Sequence, residues 1–152
     1  MHKQYIGIWG FGVVGKSALS YFTKQGATCT LFDKRTLTSE EHALLAQHDA
    51  IYLPEQDIEH FFSEQTGIIA SPGIDINPYK DRAHFICELD IFAPAWKRPL
   101  ITVTGSVGKT STTTLIGKLF NETRVAVGGN IGIPMLSFIE HQEQYDYAVL
   151  EL

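Results

Sequence analysis

Two glycine-rich segments carry the chemistry that can be read from this chain. The first is Gly10-Phe11-Gly12-Val13-Val14-Gly15, which fits G-x-G-x-x-G. It follows a strand-like run, Tyr5 to Trp9, and opens a helix-like run carrying Ala18, Leu19 and Phe22. That is the context in which such a loop holds a diphosphate. Glycine lets backbone N–H groups approach the phosphates, and the helix N-terminus adds partial positive charge. Asp33 stands at the end of the next strand, 18 residues after Gly15, where a carboxylate can accept from ribose hydroxyls. Asp33, Lys34 and Arg35 are neighbours, and a carboxylate beside a guanidinium can read a polar base edge. These features specify a nucleotide diphosphate. They leave NAD, FAD and UDP-sugars open.

The second segment is Thr104-Gly105-Ser106-Val107-Gly108-Lys109-Thr110-Ser111, again between a strand and a helix. Gly108-Lys109-Thr110 matches the G-K-S/T end of a P-loop. The full pattern places a glycine where Val103 stands, so this is a shortened variant with its first glycine at Gly105. The physics is unchanged: backbone N–H groups cradle phosphate oxygens, Lys109 charges the β and γ phosphates, and Thr110 offers a hydroxyl to Mg²⁺. Glu151 closes the last strand, well placed for the same cation. A dehydrogenase needs only the first loop and a simple ATPase only the second. An enzyme that spends ATP on a nucleotide-linked substrate needs both.

Strands must alternate with helices to position these loops. Strand runs are expected at Tyr5–Trp9, Thr28–Phe32, Ala50–Leu53 and Gly67–Ala70, with a short fifth near Phe85–Cys87. Helices are expected behind Gly12, at Thr38 (with Glu41 completing a capping box), over Gln56–Ser63, at Asn77-Pro78 and over Glu88–Ala93. Pro94-Ala95-Trp96-Lys97-Arg98-Pro99 reads as a linker. A second unit follows, with strands at Leu100–Thr104, Arg124–Val127 and Tyr145–Leu150 and helices at Thr110–Asn121 and after Pro134. The fold class is α/β with parallel sheets: a Rossmann-like domain over residues 1–93, then the start of a P-loop domain over residues 94–152. Three strands leave the second sheet with an unpaired edge, which further chain is expected to cover.

Composition narrows the partners. A hydrophobic fraction of 44% and a charged fraction of 19% are those of a globular domain. The net charge of −5 argues against a nucleic-acid surface and obliges any anion to be held by local devices. No apolar run reaches the roughly 20 residues of a membrane span, and the opening residues lack a signal peptide's apolar core. A cytoplasmic location without membrane insertion is expected, with Cys29 and Cys87 as buried thiols. The six histidines show no zinc-ligand spacing. Phe61, Phe62 and Trp96 read as packing residues, not base-stacking platforms.

With these residues in view, the chain resembles the Mur ligases. Ile101 to Ser111 is similar to their ATP loop, commonly T-G-S/T-N-G-K-S/T-S/T, with Val107 in place of the asparagine. Gly129-Asn130-Ile131-Gly132-Ile133-Pro134, Ser71-Pro72-Gly73-Ile74 and Glu88-Leu89-Asp90-Ile91-Phe92 resemble the D-glutamate-adding branch. The resemblance implies that Gly12, Val13, Val14 and Gly15 contact the diphosphate of UDP-N-acetylmuramoyl-L-alanine. Asp33, Lys34 and Arg35 would lie on the uracil side, and Ser71, Pro72, Gly73 and Asn130 would also touch that substrate. Gly105, Ser106, Val107, Gly108, Lys109, Thr110, Ser111 and Thr112 would bind ATP, and Thr110 and Glu151 would bind Mg²⁺. Lys109, Thr110 and Glu151 are the implied catalytic residues. The implied reaction is ATP-dependent amide ligation through an acyl phosphate that the amine of D-glutamate attacks. The competing readings are an NAD(P)-binding oxidoreductase domain and a P-loop NTPase module without ligase chemistry. The family continues well past the length of this chain, so the 152 residues alone are expected to show no D-glutamate-dependent phosphate release; a phosphate assay on the purified chain checks this.

Overall fold

The computed structural model describes residues 4–120 and 124–152. The chain divides into two compact units, Met1–Cys87 and Glu88–Leu152.

In the first unit, β1 (Tyr5–Trp9), β2 (Thr28–Phe32), β3 (Ile51–Leu53) and β4 (Gly67–Ala70) form a parallel sheet in the order β3-β2-β1-β4. Ile8 pairs with Leu31 on one side and with Ile69 on the other. Both central strands, β1 and β2, are buried at every position but the first, as a sheet covered on both faces requires. Helix α1 (Val13–Lys24) buries Ala18, Leu19 and Phe22. Helix α2 (Ser39–Gln47) begins at Thr38 with the complete expected capping box, since Thr38 and Glu41 satisfy each other's backbone N–H. Helix α3 (Ile58–Glu64) follows a 3-10 turn at Glu55–Asp57. Trp9, Phe32, Phe61, Phe62 and Ile68 form one cluster of the core, with Tyr79 and Phe85 packed against it. Trp9 meets Phe62 and Tyr79 edge-to-face, with centroids at 5.5 and 5.1 Å.

The run expected as a fifth strand makes only a single bridge, Phe85 to Ile68. The backbone of Ile68 is held there on both sides, donating to His84 O and accepting from Ile86 N, each at 2.8 Å. Of the two thiols expected to be buried, Cys29 is, and burial pushes its pKa up to about 12. Cys87 is exposed, because it lies past the last bridge of the sheet.

In the second unit, helix α4 (Glu88–Ala95) precedes β5 (Leu100–Val103), α5 (Lys109–Leu119), β6 (Val125–Gly129), a 3-10 stretch (Met135–Gln144) and β7 (Tyr147–Glu151). The sheet is parallel in the order β5-β7-β6. The expected end of α5 at Asn121 lies outside the described residues. Helix α4 runs through Pro94 to Ala95, which shifts the unit boundary from the expected 93/94 to 87/88. The physical reason is packing: Phe92 stacks on Trp96 at 5.1 Å, Trp96 lies beside Tyr145, and both Phe92 and Trp96 are buried. The supposed linker is therefore part of the second core. Pro94 falls in the last turn, where it forfeits a single helical bond. Strand β6 also extends beyond its expected end, through Gly128 and Gly129.

Glu88 opens α4 and is 8% exposed. Its carboxylate accepts from the Leu136 backbone, while Oε1 is buried without a hydrogen-bond partner. Burial raises its pKa to about 7 from 4.5. Because the folded state holds this proton more tightly than the unfolded chain, the contribution to stability is fully present below about pH 4.5. It is lost as pH rises toward 7, by on the order of 3 kcal/mol. Thermal melts between pH 5 and 8 should show this decline in the wild type and a flatter profile in Glu88→Gln.

Candidate functional site

In the first unit the site forms at the carboxyl end of the sheet. The connections from β1 lead to β2 and β3 on one side, whereas β4 lies on the other. β1 therefore sits at the topological switch point where open α/β sheets bind ligands. A cavity of about 320 Å³ opens here, lined by Trp9, Asp33, Lys34, Gly73, Asp75 and Tyr79 among others. The expected Asp33, Lys34 and Gly73 thus meet around one space, although two segments far apart in the chain supply them. Trp9, Asp75 and Tyr79 were not anticipated from the sequence. Trp9 reads there as a strand residue, and nothing in local spacing brings Tyr79 against Trp9.

The glycine loop is shaped by close approach. A Cβ on Gly15 would stand 2.1 Å from the Gly10 carbonyl oxygen, so only glycine lets α1 pack on the end of β1. Gly12 differs: a Cβ there meets nothing within 4 Å, and its φ of −77° suits any residue. What Gly12 leaves open is the approach to the first-turn amides of α1. No side chain caps that helix, in contrast to α2 with its full capping box. The orphan N–H groups at the start of α1 are left to an outside acceptor. Val13, at the first helical position, is exposed.

The polar residues brace this loop. Phe11 N–H donates to Asp33 Oδ2 at 2.8 Å, and Arg35 N–H donates to Asp33 Oδ1 at 3.1 Å. The Arg35 guanidinium forks onto Glu41 with two 2.8 Å bonds and also donates to the Phe11 carbonyl at 3.1 Å. Arg35 stands beside Asp33 as expected, yet most of its donors are directed inward. Ser71 Oγ donates to the Gly10 carbonyl at 3.2 Å, which ties the segment after β4 to the same turn.

The second unit repeats the strand–turn–helix arrangement. Gly108, with a φ of +79°, is the N-cap of α5, and no side chain caps this helix either. Lys109 Nζ donates to the Gly105 carbonyl at 2.9 Å, laying the ammonium across the loop. Thr110 Oγ1 donates to Glu151 Oε2 at 2.8 Å, and Glu151 is 6% exposed. The two residues expected to share a cation are therefore in contact, because β7 lies beside β5 in the sheet. Asn130 N–H donates to the Glu151 carbonyl at 3.0 Å, which brings the Gly129–Gly132 turn to the same strand end. Val107 is 93% exposed, so its side chain takes no part in packing the loop. Among the described residues no group of three or more His, Cys, Asp or Glu side chains is placed to hold a metal. No helix there is long and apolar enough to cross a membrane.

A Rossmann-like parallel sheet with a glycine loop, followed by a second parallel-sheet unit with its own strand–glycine turn–helix segment, defines an α/β protein of two like-built units. Residues 4–83 match the family described as Mur ligase MurD-like, N-terminal domain, and the chain belongs to that family. Among curated relatives it is 32% identical, over 94% of its length, to a UDP-N-acetylmuramoylalanine–D-glutamate ligase of Hydrogenovibrio crunogenus. It is 36% identical over 95% and 100% of its length to ligases of the same name from Desulfotalea psychrophila and Shewanella oneidensis. It spans 34%, 34% and 37% of those three proteins, about a third of their length. Among solved structures, a pseudomurein peptide ligase type C from Methanothermus fervidus aligns with 98% of this chain and 33% of its own, at a TM-score of 0.55 and 19% identity. A UDP-N-acetylmuramate:L-alanyl-gamma-D-glutamyl-meso-diaminopimelate ligase from Neisseria meningitides aligns with 99% of this chain and 52% of its own, at a TM-score of 0.54 and 12% identity. At these identities the structures attest the fold.

The two glycines separate packing from ligand access. Gly15→Ala should cost at least about 1–3 kcal/mol, because the added carbon meets backbone. Gly12→Ala should leave the melting temperature nearly unchanged and reduce nucleotide-diphosphate affinity. Thermal melts and titration with UDP on both variants check the contrast.

Proposed function

We propose that this chain is the nucleotide-binding part of an ATP-dependent ligase that joins D-glutamate to UDP-N-acetylmuramoyl-L-alanine in peptidoglycan synthesis. The observation that carries the proposal is the pair of helices, α1 and α5, that each begin at a glycine with no capping side chain. The second of them also has Lys109 across its loop and Thr110 against Glu151. The names of the relatives supply the particular reaction.

In this reading the first unit holds the UDP moiety. The amides of Val13, Val14 and Gly15 donate to the diphosphate at the start of α1, and the 320 Å³ cavity receives the base beside Asp33 and Lys34. In the second unit the amides from Ser106 to Thr112 cradle the ATP phosphates. Lys109 turns from the Gly105 carbonyl to the β and γ phosphates. The Thr110 hydroxyl and Glu151 carboxylate are hard oxygen donors already in contact, a set that fits Mg²⁺, which takes one or two protein oxygens besides phosphate and water. Bound there, the cation neutralises phosphate charge during transfer. The chain's own residues hold ATP so that the substrate carboxylate can attack the γ phosphorus, releasing ADP. The D-glutamate amine then attacks the resulting acyl phosphate and phosphate leaves. The energetic contribution is positioning and charge stabilisation.

Ligand-observed NMR on the purified chain tests the first unit. UDP-N-acetylmuramoyl-L-alanine should bind and NADH should not; binding of NADH alone would place an oxidoreductase domain first. For the second unit, Lys109→Ala should weaken ATP binding about tenfold to a hundredfold, the worth of one charge-assisted hydrogen bond. An unchanged ATP affinity would remove the P-loop assignment.

A further inference from the structure

Glu41 is a buried acid that the proposed chemistry does not use, and its bonds exceed what a helix cap needs. It is 7% exposed. Its Oε2 accepts from the Thr38 backbone N–H at 3.1 Å, which completes the capping box of α2. The same carboxylate accepts both arms of the Arg35 fork and takes Lys16 Nζ, from α1, at 2.8 Å. Arg35 in turn donates to the carbonyl of Phe11, whose N–H donates to Asp33. One carboxylate thus connects helix α2 and helix α1 to the backbone of the first glycine loop. Held by Arg35 and Lys16, it stays ionised well below the usual carboxylate range.

We infer that Glu41 is a positioning residue for the nucleotide-diphosphate site, acting through Arg35 to fix the peptide group that follows Phe11 and hence the aim of the α1 amides. The inference rests on the proposal that the first loop binds a UDP compound. Two physical effects of Glu41 on an anionic ligand oppose each other. Its charge cancels one of the two nearby cations, Lys16 or Arg35, which weakens the attraction for phosphate. Its bidentate grip on Arg35 removes freedom from the loop, which lowers the ordering cost of binding. A planar fork with two 2.8 Å bonds, one donor extended to the loop, is the geometry of a brace. The second effect therefore governs. The field and the brace predict opposite signs when the charge is removed.

Glu41→Gln keeps size and shape, loses the charge and turns an amide N–H₂ toward Arg35 or Lys16. Thr38→Val removes the cap of α2 but leaves the Glu41–Arg35 fork in place. In the 152-residue chain, Glu41→Gln should displace the Phe11 to Gly15 amide resonances in ¹⁵N–¹H spectra. It should also weaken UDP-N-acetylmuramoyl-L-alanine about tenfold. Thr38→Val should lower the melting temperature with those resonances and that affinity unchanged. Arg35→Lys, which keeps the charge and loses the fork, should match Glu41→Gln, and the double variant should lose little more. The inference is overturned if Glu41→Gln binds as well as or better than wild type with unmoved loop amides, or if Thr38→Val weakens binding equally. Failure of the UDP compound to bind the wild type overturns the proposed function instead, and the amide shifts in the unliganded variants then decide the role of Glu41.

Discussion

The closeness of α1 to the end of β1 is the constraint on which the first site depends. With Gly15 against the Gly10 carbonyl, the helix starts directly at the carboxyl end of β1. Its unbonded N–H groups must then point into the space above the sheet. Every other feature of the site either keeps that start in place or leaves it accessible. Asp33 and Arg35 hold the peptide groups on either side of Phe11, Ser71 holds Gly10, and Gly12 withholds a side chain.

The same economy appears in the second unit with different parts. There a left-handed glycine, Gly108, starts the helix, and a strand from later in the chain delivers Glu151 to Thr110. Helix α2 is the internal contrast. It binds nothing in the proposed scheme, and its first turn is satisfied by its own Thr38 and Glu41. In the proposed scheme the helices that face a ligand lack a capping side chain, whereas the helix that answers only to the fold is capped by its own residues. Glu41 stands at the meeting of both rules, because it caps α2 and braces the loop of α1 through Arg35.

Much of this architecture was legible because it follows from local rules. The alternation of β-branched runs with amphipathic segments yields the four parallel strands of the first sheet and the three of the second. The capping box at Thr38 and Glu41 was legible from two residues three apart. Boundaries were less so. Proline-rich composition suggested a linker at 94–99, yet Trp96 stacked on Phe92 holds that segment in the second core. Glycine-rich composition suggested that β6 ends early. It continues, because Gly128 and Gly129 let the Ile133 and Glu151 backbones lie where a Cβ would stand, at 2.1 and 2.3 Å.

By itself the sequence determined which residues could meet phosphate: two strand–glycine–helix segments, a lysine and threonine at the start of one helix, and an acid at a strand end. Those assignments depend on chemistry and on neighbours close in the chain. Tertiary structure alone decided what those residues do to one another. Arg35, read as a group offered to a base, has most of its donors turned to Glu41 and Phe11, while Trp9, Asp75 and Tyr79 join Asp33 around the cavity. The physical reason is that a guanidinium bonds to whichever acceptors the fold brings within reach. The acceptors of Arg35 come from α2 and from the loop after β1, and only strand order and helix packing bring them together.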